Sequence, residues 1–344
     1  MCRPIVATLA SAARNAHNPR PAPGPRWRLP TWCSMQPVAV IDIGSNSMCL
    51  LIATRLRDGS LVAVAKHKSV ARLRDAIDDK GNLTADGVAR GLSALRDFAQ
   101  ILDNWNVTRV RAVATAALRA ATNGEAFVEQ AARQTGLHLE VISGDEEARL
   151  AYLGVRHGLG QAANGPILCA DIGGGSSELL IGDAGRVVTS VSTPIGALVV
   201  SRELLGPDPV GFDQVDAARA VLKQRFADAA QVVGRHPIGL AVATSGTIQR
   251  VARIAQALAG RQVDDVHRQV LTYPQLQMVI DALASAENQH TRLNIPAMDP
   301  QRADNLLGGA LIFEAVADLL GLKAWTISMD GLRIGVLSEL AQMW

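Results

Sequence analysis

Val38-Ala-Val-Ile-Asp42-Ile-Gly-Ser-Asn-Ser-Met-Cys-Leu-Leu-Ile-Ala53 decides the fold, because the chain contains this pattern twice. The second copy is Ile167-Leu-Cys-Ala-Asp171-Ile-Gly-Gly-Gly-Ser-Ser-Glu-Leu-Leu-Ile-Gly182, with the aspartate, the Ile-Gly pair, a serine and the Leu-Leu-Ile tail in register. Each copy reads as an apolar strand that ends at an aspartate, turns at glycine and continues as a second apolar strand. A repeat on this scale predicts two similar α/β domains with a ligand cleft between them.

The length of 344 residues supports this division, because single hydrophobic cores rarely grow beyond about 250–300 residues. Aromatic residues make up only 3% of the chain, too few for the stacking grooves that bind single-stranded nucleic acid. No apolar run reaches the roughly 18 residues of a membrane-spanning helix, and the longest candidate, 306–322, contains Glu314 and Asp318. We expect neither nucleic acid nor a membrane as a partner.

Residues 1–36 differ in composition from the rest of the chain. Five arginines precede the first acidic residue, Asp42: Arg3, Arg14, Arg20, Arg26 and Arg28. The formal net charge is +2, and without these five arginines it is −3. We expect a disordered leader or a start codon placed too far upstream, with a weak export signal at residues 5–13 as the alternative. A slightly acidic body would bind anions through local arginines, backbone N–H groups and metal ions.

The four cysteines predict free thiols. Cys2, Cys33, Cys49 and Cys169 form no C-x-x-C pair, and no histidines stand at zinc-ligand spacing. Cys49 and Cys169 lie in apolar strand-like runs, where a buried thiol is the usual state. We expect a reducing, cytoplasmic compartment and no structural metal.

From residue 38 onward, short β-like runs alternate with helix-like segments. The pattern predicts strands at 38–42, 48–54, 61–68, 110–115 and 139–143, with Asp58-Gly59 as the turn between the second and third strands. It predicts helices at 84–103, with Thr84 as N-cap, and at 125–135, ended by Gly136. We place the first domain at 37–160 and the second at 161–344.

The glycine run after Asp171 suits phosphate. Gly173, Gly174 and Gly175 let the backbone approach a ligand closely, and successive N–H groups in such a turn form a nest for phosphate oxygens. The aspartate can hold Mg²⁺ directly or through water. An ordinary tight hairpin is the alternative, but it gives no reason for the aspartate to recur at Asp42 with Gly44 and Ser45.

Two further segments carry polar residues at predicted helix starts. Ser245-Gly246-Thr247 follows an apolar strand, and such helix N-termini suit anions, although capping alone accounts for Ser245 or Thr247. In Ile142-Ser-Gly-Asp-Glu-Glu-Ala-Arg149, Ser143 and Glu146 fit a capping box. Glu147 then has no required structural task. If it faces the cleft, its carboxylate could accept a proton from an attacking water.

Six segments resemble, in order, the motifs of the exopolyphosphatase and guanosine-pentaphosphatase (Ppx/GppA) family. They span residues 39–47, 112–119, 142–149, 171–178, 245–247 and 331–333. The resemblance implies a duplicated actin-like, ribonuclease-H-like α/β fold of two lobes. It also implies a hydrolase that removes the terminal phosphate from inorganic polyphosphate or guanosine pentaphosphate with Mg²⁺.

By that resemblance, Glu147 is the catalytic glutamate, and Asp42, Asp171 and Glu178 hold the metal. The implied phosphate contacts are Ser45, Asn46, Arg119, Gly173, Gly174, Gly175, Ser176, Gly246, Arg302 and Arg333. Arg119 has the planar donors of a bidentate oxygen clamp, although a solvated helix arginine is the alternative.

The chain departs from the family pattern in the segment that follows the third strand. Residues 72–81 replace the family's usual glycine-rich Arg-Leu-Gly-type loop, so the choice between polyphosphate and nucleotide stays open. Longer members carry an additional C-terminal helical region, so we expect a short form with a weaker grip on very long chains. A non-catalytic sensor of guanosine tetra- or pentaphosphate, a sugar or acetate kinase of the same fold, and a homodimer remain as alternatives.

Overall fold

The computed structural model describes residues 37–55, 61–262 and 265–342. The predicted leader and the predicted Asp58-Gly59 turn lie outside these residues. Within them the chain forms two mixed β-sheets with helices packed on both faces. No helix of the described ranges has the length and apolarity needed to cross a membrane.

The strands and helices follow one another in the predicted α/β order. The strands are β1 Val38–Ile43, β2 Met48–Arg55, β3 Leu61–Ser69, β4 Arg109–Ala114, β5 Leu139–Val141, β6 Ile167–Ile172, β7 Ser177–Asp183, β8 Arg186–Thr193, β9 Leu240–Thr244, β10 Val270–Thr272 and β11 Ala324–Ile327. The helices are α1 Ala85–Asn104, α2 Ala116–Ala120, α3 Gly124–Thr135, α4 Gly144–Leu159, α5 Ala197–Val200, α6 Phe212–Gly234, α7 Gly246–Leu258, α8 Tyr273–Ala284, α9 Gln289–Arg292, α10 Leu306–Leu320 and α11 Leu332–Gln342. A π-helical turn, Ser201–Leu205, follows α5.

The two sheets share one strand order. The first runs β3-β2-β1-β4-β5, and the second, read from its opposite edge, runs β8-β7-β6-β9-β11, with β10 added at the end. In both sheets the opening strand pairs antiparallel with the next strand and parallel with the one that returns after a helix. The duplicated two-lobed α/β fold predicted from the repeat is confirmed.

Each sheet has its own core on its outer face. Leu95 and Phe98 of α1 and Phe127 of α3 pack on the first sheet. Phe226 of α6 and Phe313 of α10 belong to the larger core of the second sheet. These apolar faces hold each strand in a fixed register, so the residues at the strand ends have defined positions.

Helices α4 and α11 lie on the inner faces of the sheets, between the lobes. Tyr152 and Val155 of α4 pack on the second sheet, whereas Leu150 joins the inner core of the first sheet. Leu332 and Val336 of α11 pack on that same first-sheet core. The domain limits at 37–160 and 161–344 stay a prediction, and the structure adds that the last helix of the second segment covers the first sheet.

The capping box predicted at α4 has one of its two hydrogen bonds. Ser143 caps the helix by accepting a hydrogen bond from the Glu146 amide at 3.2 Å. The Glu146 carboxylate, however, accepts two hydrogen bonds of 2.7 Å from Arg149. This bidentate pair replaces the expected bond to the cap because Arg149 is also held by Glu339 of α11, at 2.6 Å. The strand predicted at 139–143 correspondingly ends at Val141.

The crossing of α4 and α11 depends on glycine. A Cβ on Gly335 would collide with the carbonyl oxygen of Leu150, and one on Gly154 would collide with the carbonyl oxygen of Gly331. Both obstacles are backbone atoms, so a change of side-chain rotamer cannot relieve them.

We predict that Gly335→Ala lowers the free energy of unfolding by about 3 kcal/mol, because the two helices must move apart. Chemical denaturation measures the change. Gly234→Ala at the end of α6 is the matched control, since its Cβ would meet only the flexible Leu320 side chain. A Gly335→Ala protein as stable as the control would contradict the packing described.

Candidate active site

A cleft of about 150 Å³ lies between the lobes, where the two repeated turns meet. Asp42, Ser45 and Asn46 line it from the first lobe, and Asp171 and residues 173–176 line it from the second. Glu147, Gly246, Arg302 and Arg333 also line it. Twelve of the fourteen predicted site residues line this one cleft, and Arg119 and Glu178 do not.

The two repeated turns touch each other. A Cβ on Gly175 would lie 2.5 Å from Ser45 Oγ, and one on Gly174 would lie 3.2 Å from Ser45 Cβ. The carbonyl oxygens of Gly173 and Gly174 each accept a 2.9 Å hydrogen bond, from the amides of Ala197 and Leu198. The absent side chains of the second turn are what allow the lobes to approach this closely.

The segment that departs from the family pattern supports the first turn. The amides of Arg72 and Arg74 donate to the carbonyl oxygens of Asn46 and Ser45, at 2.9 and 3.0 Å. The Arg72 guanidinium reaches the second lobe and pairs with Asp304 at 2.5 Å. This loop joins the lobes beside the cleft rather than lining it.

Asn46 has unmet hydrogen-bonding capacity inside the cleft. Its residue is 7% exposed, and neither Oδ1 nor Nδ2 has a partner. A buried amide without partners costs about 1–3 kcal/mol, so such a group in a native structure points to a missing ligand or water. A phosphate oxygen and a hydrated cation are two groups that would satisfy it.

Glu147 stands in the first turn of α4, with its carboxylate at the cleft. Burial, with the nearby charge of Asp171, raises its pKa to about 8, against the opposing effect of Arg119. Arg119 Nη1 lies 3.1 Å from Glu147 Oε2 and 2.9 Å from the carbonyl oxygen of Ile142. Arg119 therefore forms an ion pair with the Glu147 carboxylate and orients it. The alternative of a solvated helix arginine is wrong.

Asp42 and Asp171 lie at corresponding ends of β1 and β6. Burial raises the pKa of Asp42, and the ion pair with Arg333, 3.1 Å from Nη1 to Oδ2, opposes this rise. Burial and the Asp42 charge raise the pKa of Asp171 to about 6. The cleft thus concentrates carboxylates that destabilise one another's charged forms.

Glu178 lies behind the cleft wall. It is 1% exposed and accepts a 2.9 Å hydrogen bond from Ser192 Oγ. Burial, together with the charges of Glu147 and Asp171, raises its pKa well above the usual value. Its closest cation is Arg119, at 3.9 Å. The metal role predicted for Glu178 remains a prediction.

Asp42 and Asp171 suit a divalent cation that keeps part of its water shell. In the described part of the chain, no three acidic, histidine or cysteine side chains are grouped closely enough to form a complete ligand set. Mg²⁺ is usually held by one or two carboxylates together with water and substrate phosphates. The mutually repelling carboxylates and the unpartnered Asn46 amide fit such an ion.

Ser245-Gly246-Thr247, the third turn that lines the cleft, lies beside the cation Arg302. Ser245 caps α7 through its side chain and has a φ of 103°, a strained value for a residue with a Cβ. Arg302 lies over Gly246, where a Cβ would collide with its guanidinium, and Arg302 Nη1 donates to Thr247 Oγ1 at 3.3 Å. Burial lowers the pKa of Arg302.

Four cations near the cleft were not predicted from the sequence: Lys66, Lys68, Arg250 and Arg253. Each acts electrostatically on a residue of the cleft or on another of these four. The sequence contains a signal for these four residues. Two lysines alternate along the predicted third strand, and two arginines stand three residues apart after the third turn.

The chain is similar in sequence to a known protein family. Residues 52–343 match the model of the Ppx/GppA phosphatase family. The chain is 33% identical over 304 residues to Exopolyphosphatase 1 of Mycobacterium tuberculosis, covering 87% of each protein. It is 33% identical over 319 residues to Exopolyphosphatase 2 of the same species, covering 88% of this chain and 98% of the relative.

Solved structures agree with these matches. An exopolyphosphatase from Cytophaga hutchinsonii superimposes with a TM-score of 0.82 at 26% identity, covering 90% of this chain and 98% of the other. The Aquifex aeolicus member of the Ppx/GppA family gives a TM-score of 0.76 at 30% identity, with the same coverage.

The raised pKa of Glu147 predicts a stability difference that depends on pH. The folded state retains the Glu147 proton up to about pH 8, whereas an unfolded glutamate loses it near pH 4.5. Folding stability contributed by this proton is therefore complete below pH 4.5 and is lost as the pH rises through 8.

We predict that Glu147→Gln stabilises the protein by about 2 kcal/mol at pH 8 in buffer with a chelator, and much less at pH 4.5. Denaturation at both pH values measures the difference. Glu146→Gln is the control with the opposite sign, because the hydrogen bond from Arg149 lowers the pKa of Glu146. That variant should lose stability above pH 4.5. A Glu147→Gln protein less stable than the wild type at pH 8 would refute the charge repulsion.

Proposed function

The chain belongs to the Ppx/GppA phosphatase family, and we propose that it releases the terminal phosphate of inorganic polyphosphate by attack of water. The observation that carries the proposal is Glu147, a buried carboxylate at the cleft with a pKa of about 8. Two relatives that share a third of their residues with this chain are exopolyphosphatases by name.

Glu147 acts as the general base. A base whose pKa lies close to the working pH is partly deprotonated and still basic enough to take a proton from water. Arg119 holds one carboxylate oxygen at 3.1 Å and leaves the cleft side of the group to the water. Its removal would free the carboxylate to rotate.

The terminal phosphate occupies the space between the two repeated turns. The glycine turn at 173–175 offers close backbone approach, and Asn46 supplies the unpartnered amide. Arg302 and Arg333 supply positive charge for the oxygens, with Arg333 exchanging its Asp42 partner for phosphate. Phosphoryl transfer depends mainly on such positioning and charge neutralisation.

Asp42 and Asp171 would hold Mg²⁺ or a similar divalent cation, as their mutual repulsion in the cleft supports. Such a cation neutralises charge on the phosphate oxygens. We also propose that the protein works in a reducing, cytoplasmic compartment. The buried free thiols of Cys49 and Cys169 support this location.

We expect Glu147→Gln to lower kcat for phosphate release from polyphosphate by about 10³-fold, because the amide cannot accept the water proton. Binding of polyphosphate should persist, since the amide keeps the shape and its hydrogen bond from Arg119. Released phosphate and calorimetric binding measure the two effects. Glu129→Gln, an exposed change on α3, is the control. Unchanged release by Glu147→Gln would rule out this residue as the base.

A second experiment decides the substrate. Phosphate release is measured from polyphosphate and from guanosine pentaphosphate, each with Mg²⁺ and with a chelator. We predict release from polyphosphate that requires the cation. Faster release from guanosine pentaphosphate would reassign the substrate, and transfer to a small acceptor that needs ATP would indicate a kinase.

A further inference from the structure

A row of side chains leads from the cleft to the edge of the first sheet. Asp42 of β1 is opposite Cys49 of β2, and Cys49 is opposite Lys68 of β3. Residues paired in this way project from one face of a sheet, so Asp42 and Lys68 share a face and stand two strand spacings, roughly 10 Å, apart. Lys66, two residues along β3, projects from the same face. Two lysines thus continue the cleft outward.

The second lobe places arginines opposite these lysines. Arg250 and Arg253 stand three residues apart on α7, which begins at the third cleft turn. Arg250 donates to the carbonyl oxygen of Ala297 at 2.8 Å, and Arg253 Nη2 lies 3.9 Å from the sulfur of Met329, a cleft residue. Lys68 Nζ bridges the lobes by donating to Gln301 Oε1 at 2.9 Å.

Positive charge exceeds negative charge along this path. Within the ranges the structure describes, no carboxylate forms a salt bridge with Lys66, Lys68 or Arg302, and Asp299 pairs with Arg250 at 3.5 Å. Lys66 and Lys68 keep exposed surface, but partial loss of hydration lowers the pKa of Lys66, and Arg333 lowers it further. Burial and then Arg302 lower the pKa of Lys68. Cations that repel one another in this way would be stabilised by a polyanion.

The path favours a phosphate chain over a nucleoside. Of the residues that the structure describes, none that lines the cleft is aromatic, whereas proteins commonly hold a base between aromatic rings or on its hydrogen-bonding edges. Several cations, contributed by both lobes, match a ligand that repeats one charged unit. The outer path therefore suits linear polyphosphate.

We propose that Lys66, Lys68, Arg250 and Arg253 bind the second and later phosphates of linear polyphosphate while the terminal phosphate lies in the cleft. The proposal rests on the proposed function and adds a specificity. The affinity for polyphosphate increases with the length of the polyphosphate until it extends past Lys68 and Arg250. Polyphosphate therefore leaves the cleft over the edge strand β3.

The test is calorimetric binding to protein that carries Glu147→Gln, so that substrate is consumed about 10³-fold more slowly than by the wild type. Tripolyphosphate and a chain of several tens of phosphates are compared, with and without the pair Lys66→Gln and Lys68→Gln. We expect the pair to weaken binding of the long chain about tenfold, and tripolyphosphate clearly less. The slope of log affinity against log salt concentration should fall by about one per lysine removed.

Lys323→Gln, the same change at an exposed lysine at the start of β11, is the matched control and should leave both affinities unchanged. Equal losses for both chain lengths, or losses no larger than in the control, would overturn the proposal. So would a loss for guanosine pentaphosphate as large as that for the long chain, because the path would then not be specific to polyphosphate.

The proposed function is tested separately by phosphate release from wild-type protein. A wild type that releases no phosphate but whose Glu147→Gln form shows lysine-dependent, length-dependent binding would refute the hydrolase and support the binding path. Release with lysine-independent binding would refute the path alone.

Discussion

Repulsion between carboxylates that share one buried cleft is the constraint on which the rest of the site depends. Asp42, Asp171, Glu147 and Glu178 each have a pKa raised by burial, and the Asp171 charge also raises the pKa of both glutamates. Folding does not favour this arrangement, so the two cores and the inner helices must offset it. The same repulsion contributes to the pKa of about 8 at Glu147, which suits the proposed base, and a bound cation would relieve it.

The two repeated turns have become different parts of one site. The second turn has three glycines and approaches the first turn closely, whereas the first keeps Asn46 with its free amide. Their shared strand pattern places both aspartates at the same depth in the cleft, at the ends of β1 and β6. The repeated strands give the two aspartates matching positions, whereas the residues after each aspartate give the two turns different contacts.

The fold was predictable because its signals are local. The repeat and the spacing of apolar residues located the strands, and glycine and threonine marked helix ends at Gly136 and Thr84. The convergence of Asp42, Asp171 and Glu147 followed from the repeat and the family resemblance. The partner of Glu146 was not predictable, because the choice of Arg149 over the helix cap depends on Glu339, 190 residues away from Arg149. The burial of Glu178 behind the cleft wall was not predictable either, because it depends on how separate segments pack together around it.

The position of α11 has a consequence for the order in which the protein is made. Val38, Val40, Leu51 and Val113 of the first sheet are covered on their inner face by residues 332–340. A ribosome completes the first lobe long before it adds those residues, and N-terminal domains generally fold first during synthesis. The inner face of the first lobe therefore stays open to water, chaperones and other nascent chains until residues 332–340 have been added.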